Sequence, residues 1–78
     1  MAANYTKGEL VEVTREESMV FGYRGTITGT TRIRGIVRYT VSFTHRYSGR
    51  NALLDPYVLH VLPENLTRVS DLDTRESK

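Results

Sequence analysis

The arginines of this chain are concentrated in its middle. Residues 18–54 hold six arginines and no carboxylate. Two of them, Arg46 and Arg50, bracket Tyr47 in a segment whose Ser, Gly and Asn content predicts a loop. Guanidinium groups neutralise phosphates and stack on bases, and an exposed aromatic ring adds a second stacking surface. This pattern favours a nucleic-acid-binding surface, for which the candidate residues are Arg32, Arg34, Arg46 and Arg50.

The charge distribution is uneven although the net charge is small. The chain has 11 Lys+Arg and 9 Asp+Glu, which gives a formal net charge of +2. Residues 1–17 carry −2, residues 18–54 carry +6 and residues 55–78 carry −2. Such a basic segment fits an anionic partner, and it equally fits a solvated face that the acidic ends partly neutralise.

Residues that could carry catalysis or bind a metal form no recognisable motif. The chain has no Cys, so it has no thiolate nucleophile, thiolate zinc site or disulfide. His45 and His60 lack the further ligands at defined spacing that a zinc site needs. Ser48, His60 and Asp55 have the residue types of a triad, but no nucleophile-elbow pattern surrounds the serine. We therefore predict no catalytic residue, no metal and no cofactor. An enzyme of this length would need to build its site across an oligomer.

Length and hydropathy narrow the class of protein. A chain of 78 residues forms one domain at most. No apolar run approaches the ~20 residues that span a bilayer, and the first residues lack the apolar stretch of a signal peptide. These features predict a soluble, intracellular protein that does not contact membranes.

Strand patterns dominate the chain, and these strands must position any site. The clearest pattern is residues 34–44, where Val37, Tyr39, Val41 and Phe43 alternate with residues of the opposite face. Shorter patterns lie at residues 9–14, 23–29, 53–62 and 67–69. Glycines in the second pattern indicate bulges or close backbone approach.

The connections between these strands are short. Pro56 predicts a turn or an edge position within residues 53–62. Residues 63–66 resemble one helical turn, and no longer helix is expected. Five short strands in fewer than 70 residues predict a small, strongly bent antiparallel barrel. We place it at residues 7–69, between a flexible N-terminus (1–6) and a disordered tail (70–78).

Several segments together resemble one known family. Residues 7–14 read Lys-Gly-Glu-Leu-Val-Glu-Val-Thr and are followed by an acidic loop and Phe21. Residues 22–27 and the Val-Arg-Tyr of residues 37–39 follow as candidate second and third strands. In this order they resemble the plant agenet domain, a Tudor-like member of the Royal family of SH3-like barrels. The resemblance covers roughly residues 7–66 and implies an all-β, SH3-like antiparallel barrel of about five strands.

The resemblance also implies a ligand. Tudor-like barrels bind methylated lysine or arginine in a cage of aromatic rings, where cation–π attraction and often a carboxylate hold the cation. By position, the implied cage residues are Phe21, Tyr23, Tyr39, Tyr47, Asp55 and Glu17. Tyr39 also shares a strand face with Val37 and Val41, so a core position is its alternative.

Three functional hypotheses follow. The leading one is a non-enzymatic, chromatin-type reader that binds a methylated-lysine peptide of a histone tail and acts in the nucleus as a monomer. The second is a nucleic-acid-binding barrel that uses its arginines on RNA or DNA. The third is a protein–protein docking or assembly module with an acidic partner.

Overall fold

The computed structural model describes the backbone of residues 5–76 and the side chains of residues 5–72. In chain order the elements are β1 (Leu10–Val13), β2 (Arg24–Ile33), β3 (Ile36–Arg46), β4 (Asn51–Val61), a 3-10 turn (Pro63–Asn65), β5 (Leu66–Arg68) and α1 (Val69–Glu76). The strands form one antiparallel sheet in the order β4-β3-β2-β1-β5. The sheet curls into a half-barrel, so the predicted small all-β, SH3-like architecture is confirmed.

The core lies on the concave face of this sheet. The alternation predicted for β3 buries Tyr39, Val41 and Phe43, while the residues between them are only partly buried. Ile27 of β2 and Val11 of β1 meet them from the neighbouring strands and are almost completely buried. A core of this size stabilises the fold through apolar area removed from water.

Gly25 lets β2 and β3 approach each other closely at one end of the sheet. A Cβ at this position would overlap the Ser42 carbonyl oxygen and lie 2.6 Å from the Phe43 Cα. The pairing of the two strands shifts register between Arg24 and Gly25 and again between Ile27 and Gly29. The predicted association of these glycines with bulges and close approach is confirmed.

A two-residue turn joins β2 to β3. Ile33 pairs with Ile36, and the residues between them, Arg34 and Gly35, have φ values of 52° and 79°. Two successive positive φ values are the mark of a type I′ hairpin turn, whose twist matches that of the strands.

The hairpin extends past the rest of the sheet. The ladder of β4 ends at the pair Tyr39–Val61, and that of β1 ends at Leu10–Thr26. Within the described part of the chain, no further strand lies beside residues 30–38. We call these residues the arm.

β4 runs through Pro56 as one strand, although its pairing is interrupted there. Tyr57 pairs with Phe43 and Ala52 pairs with His45, so the residues between Ala52 and Tyr57 bulge away from the ladder. β4 is the edge of the sheet. An edge strand tolerates proline because its outer N–H groups need no partner in the sheet. The predicted edge position is confirmed.

The ordered domain begins earlier than predicted. Tyr5 is buried; its Oη donates to the Leu66 carbonyl at 2.8 Å and its ring meets Tyr39 edge-on at 5.2 Å. The guanidinium of Arg68 lies over the same ring, 4.8 Å from its centroid. Burial raises the pKa of Tyr5, against the opposing effect of the Arg68 charge. The boundary at residue 7 is therefore wrong for Tyr5, because a single buried ring anchors the segment; residues 1–4 lie outside the described residues.

The predicted disordered tail is also wrong where the structure describes it. Val69–Glu76 forms α1, which contacts β1 and β5, and Val69 is buried. Asp71 in its first turn favours the helix through the dipole. The low apolar content of residues 70–78 conceals this helix, because the sequence pattern places Val69, its buried anchor, in a strand. Residues 77–78 lie outside the described range.

Candidate functional site

An open pocket of about 690 Å³ lies between the β1–β2 loop and the inner face of β4. Its lining is mostly apolar, with two aromatic rings and one carboxylate, and no Lys, Arg or His among the described side chains belongs to it. The lining residues are Ser18, Met19, Val20, Tyr23, Leu53, Asp55, Tyr57 and Leu59.

β4 supplies one wall of the pocket. Tyr57 and Leu59 line it by alternation along the paired part of the strand, and Leu53 and Asp55 line it from the bulge. Between Ala52 and Tyr57 the strand makes no pairs with β3, so Leu53 and Asp55 lie outside the hydrogen-bonded ladder. The bulge therefore leaves room for a cavity where a regular strand would close on the sheet.

The β1–β2 loop supplies the other wall through tight turns. The Phe21 N–H donates to the Ser18 carbonyl at 3.2 Å and the Tyr23 N–H donates to the Val20 carbonyl at 3.0 Å. Val20 packs against the core, whereas Met19 projects into solvent. A thioether on an unbranched stem adapts readily to the shape of a ligand.

The two tyrosines of the pocket differ in burial and packing. Tyr23 is half-buried and meets the Phe43 ring edge-on, with centroids 5.8 Å apart and planes at 88°. Tyr57 is 48% exposed and comes from the edge strand. Tyr23 thus forms a fixed aromatic wall, and Tyr57 presents an exposed ring at the edge of the sheet.

An ion pair fixes the neighbouring β3–β4 loop to the sheet. The buried Glu12 accepts from Arg24 Nε at 2.6 Å, and its second oxygen accepts from Ser48 Oγ at 3.5 Å. The Ser48 N–H also donates to the Gly22 carbonyl at 2.7 Å. This network ties the β3–β4 loop to the β1–β2 loop and so holds the starting points of both pocket walls.

Two of the six predicted cage residues line the pocket. Tyr23 and Asp55 lie there together, as the family resemblance implied. The second pocket ring, Tyr57, was not predicted. Its signal was present in the sequence, since Tyr57 shares strand parity with Leu53 and Asp55, but the assumed break at Pro56 concealed it.

The other four lie elsewhere. Tyr39 is only 7% exposed, so its assignment to a cage is wrong and the core alternative is confirmed. Phe21 and Tyr47 are exposed but outside the pocket lining, and the Arg46 guanidinium lies 5.5 Å from the Tyr47 ring centroid. Glu17 is exposed and pairs with Arg15 at 3.5 Å.

The arginines predicted as one surface are divided between two ends of the sheet. Arg32 and Arg34 lie on the arm, where β3 begins, and Arg46 and Arg50 lie where β3 ends. The eleven residues of β3 span roughly 30 Å at about 3.3 Å per residue. The expectation of a single basic edge is therefore wrong, because the long strand separates its two turns.

Metal ligands, membrane-spanning helices and similarity to known proteins are three further sources of functional information. Among the side chains that the structure describes, no cluster of three His, Asp or Glu could hold a metal ion. No helix within residues 5–76 is long and apolar enough to span a membrane. Comparison with protein-family models, with curated proteins and with solved structures finds no match.

Proposed function

We propose that this protein is a non-enzymatic binding module whose pocket holds an alkylated cationic side chain of a peptide, specifically a methylated lysine of a histone tail. The observation that carries the proposal is the composition of the pocket. Tyr23, Tyr57 and Asp55 line one open cavity whose other described residues are mostly apolar and include no basic group.

The chemistry of this lining suits a methylated ammonium group. The faces of aromatic rings attract cations, and the attraction strengthens when the cation is poorly hydrated, as it is after methylation. Asp55 supplies the opposite charge, while Leu53 and Leu59 accept the apolar stem of the side chain. The volume falls within the range of about 300–1,000 Å³ that is usual for ligand pockets. The histone source and a nuclear location rest on the agenet resemblance.

NMR titration with three forms of one histone-tail peptide tests this proposal. The forms carry trimethyl-lysine, unmodified lysine, or a neutral tert-butyl analogue of the same shape. We expect the trimethyl form to bind at least about tenfold more tightly than either other form, which corresponds to about 1.4 kcal/mol. Amide shifts should concentrate at residues 18–23 and 53–59.

Variants of matched chemistry locate the site. Tyr57→Ala should weaken trimethyl-peptide binding about tenfold, and Asp55→Asn by a smaller factor, because each removes one attraction for the cation. Tyr47→Ala is the control, since Tyr47 is an exposed tyrosine outside the pocket. Equal binding of the three peptides, or equal loss in Tyr47→Ala and Tyr57→Ala, would refute the proposal.

A further inference from the structure

The arm is a two-stranded ribbon that the rest of the fold leaves uncovered. Arg32, Ile33, Arg34, Ile36 and Val37 are all exposed. Exposed β-branched apolar residues at the end of a hairpin add nothing to the core and carry a cost in water. The arm therefore has the form of a contact surface.

The charge of the arm is positive only. It contains Arg32, Arg34 and Arg38 and lies within the segment that has no carboxylate. In the described part of the chain, none of the three takes part in an ion pair, whereas Arg24 and Arg68 are paired with Glu12 and Glu9. The charge of the arm is thus available to an anionic partner.

The turn keeps an arginine where other residues fit better. Arg34 has φ 52°, in the left-handed region where Asn, Asp and Gly are favoured and a long side chain is strained. Backbone strain of this kind collects at functional sites. The position of Arg34 in the turn places its guanidinium at the outermost point of the hairpin.

We propose that the arm inserts into a groove of B-form duplex DNA. A two-stranded antiparallel ribbon fits the width of the major groove, and arginines on a ribbon reach the flanking phosphates. Ile33 and Ile36 pair directly beneath the turn, where apolar side chains can contact thymine methyl groups in the major groove. This inference does not depend on the pocket.

The composition of the arm distinguishes duplex DNA from other polyanions. Single strands bind on aromatic stacking platforms, and residues 30–38 contain no aromatic side chain. Duplex RNA has a major groove too narrow for side chains to enter. An acidic protein remains the competing partner, and the experiment separates it from DNA.

The orientation of Arg38 is consistent with an anionic partner. Its Nε is shielded from solvent and has no hydrogen-bond partner among the described residues. An unsatisfied guanidinium N–H is costly. Reorientation of Arg38 towards a phosphate would give this donor an acceptor.

Fluorescence anisotropy with the whole chain and a labelled mixed-sequence duplex of about 20 base pairs tests the proposal, at about 50 and 200 mM salt. The arm variant is Arg32→Ser/Arg34→Ser. The matched control is Arg46→Ser/Arg50→Ser, which removes exposed arginines from the opposite end of β3. Circular dichroism verifies the fold of both variants.

We expect binding at low salt that falls steeply as salt rises. The arm variant should lose at least about tenfold in affinity and reduce the slope of log K against log salt by about 2, because each lost phosphate contact contributes about 0.9. The control should change affinity less than about threefold, and single-stranded DNA, duplex RNA and polyglutamate should bind more weakly than duplex DNA.

An NMR titration of the unaltered protein with the same duplex gives a second readout that needs no variant. The largest amide shifts should fall on residues 30–38. No binding at low salt, equal loss in the control, shifts away from the arm, or polyglutamate binding as tightly as DNA would each overturn the proposal. A failure of the methyl-lysine experiment would not affect any of these outcomes.

Discussion

The two halves of β3 have the same alternating sequence pattern, but one half is buried and the other is exposed. Val41 and Val37 lie four residues apart on the same face of the strand, yet Val41 is fully buried and Val37 is 41% exposed. Val41 has β2 on one side and Leu59 of β4 on the other, whereas Val37 has only Arg32 of β2 beside it. The alternation decides which face a residue occupies, and the length of the neighbouring strands decides whether that face is covered.

The same difference separates the two proposed binding surfaces. At the end of β3 near the pocket, loops and β4 surround an aromatic and acidic cavity, which suits a cationic side chain. At the arm, two strands alone present arginines and isoleucines, which suit a polyanion. A protein with both surfaces can hold two ligands of opposite charge at once, because the pocket residue Leu59 pairs with Val41, about 20 Å along the strand from the turn of the arm.

The largest expected change in stability comes from a substitution at Gly25, where β2 packs closely against β3 at the pocket end of the sheet. Gly25→Ala should reduce the free energy of unfolding by about 3 kcal/mol or more, because its methyl group would overlap the backbone of Ser42 and Phe43. Urea denaturation measures this. Gly29→Ala is the control: nothing lies within 4 Å of its Cβ position, so a change within about 0.5 kcal/mol is expected. Equal losses in the two variants would show that β2 is no tighter at Gly25.

The next largest change in stability is expected when the ion pair between Glu12 and Arg24 is broken. Glu12→Gln should destabilise the fold by about 2–3 kcal/mol, because it leaves the largely covered Arg24 guanidinium without its counter-charge. Hydrogen exchange should accelerate at Ser48, whose N–H and Oγ anchor the loop. The exposed Glu16 provides the control, since Glu16→Gln should change stability by less than about 0.5 kcal/mol. Unchanged exchange at Ser48 would count against the role of this pair in fixing the loop.

Tyr5 lies at the border between the covered half of β3 and the arm, against Tyr39. Tyr5→Phe should cost about 1–2 kcal/mol near neutral pH, because the Leu66 carbonyl loses its donor. Urea denaturation checks this cost. The exposed Tyr47 gives the control variant, Tyr47→Phe, for which almost no change is expected.

The pKa of Tyr5 makes this contribution dependent on pH. Burial raises the pKa above its unfolded value of 10.0, so the folded state holds the phenol proton more tightly than the unfolded state. The stabilisation is complete below pH 10 and is lost as pH rises through the folded pKa. The unaltered protein should therefore lose stability above that pH more steeply than Tyr5→Phe does. Parallel curves for the two proteins would contradict a raised pKa.

The sequence predicted which face of each strand is buried better than it predicted where the strands and the covered part of the sheet end. The burial of Tyr39, Val41 and Phe43 follows from period-two alternation alone. The exposure of Val37 does not, because it depends on where β4 ends, which no local pattern records. The buried Tyr5 was missed for the same reason, since its contacts are with residues far along the chain.

The candidate pocket was predicted in part. Tyr23 and Asp55 were assigned through the family resemblance and lie in it together. Tyr57 follows from its spacing to Asp55 only if β4 continues through Pro56. The sequence instead predicts an interruption at Pro56, where the structure has a bulge in an edge strand. The separation of the arginines into two clusters needed the length of β3, because charge counted along a sequence does not show distance in space.

The smallest expected effect sharpens the contrast between stability and binding at the arm. Arg34→Asn should raise the free energy of unfolding by about 0.5 kcal/mol, because Asn-Gly suits a type I′ turn and relieves the left-handed arginine. The same substitution removes the outermost positive charge, so duplex binding should weaken while thermal stability increases. Differential scanning calorimetry and anisotropy on one sample measure both. A loss of stability would show that Arg34 serves the turn, whereas opposite signs would show that the chain keeps this arginine for its ligand at the expense of its hairpin.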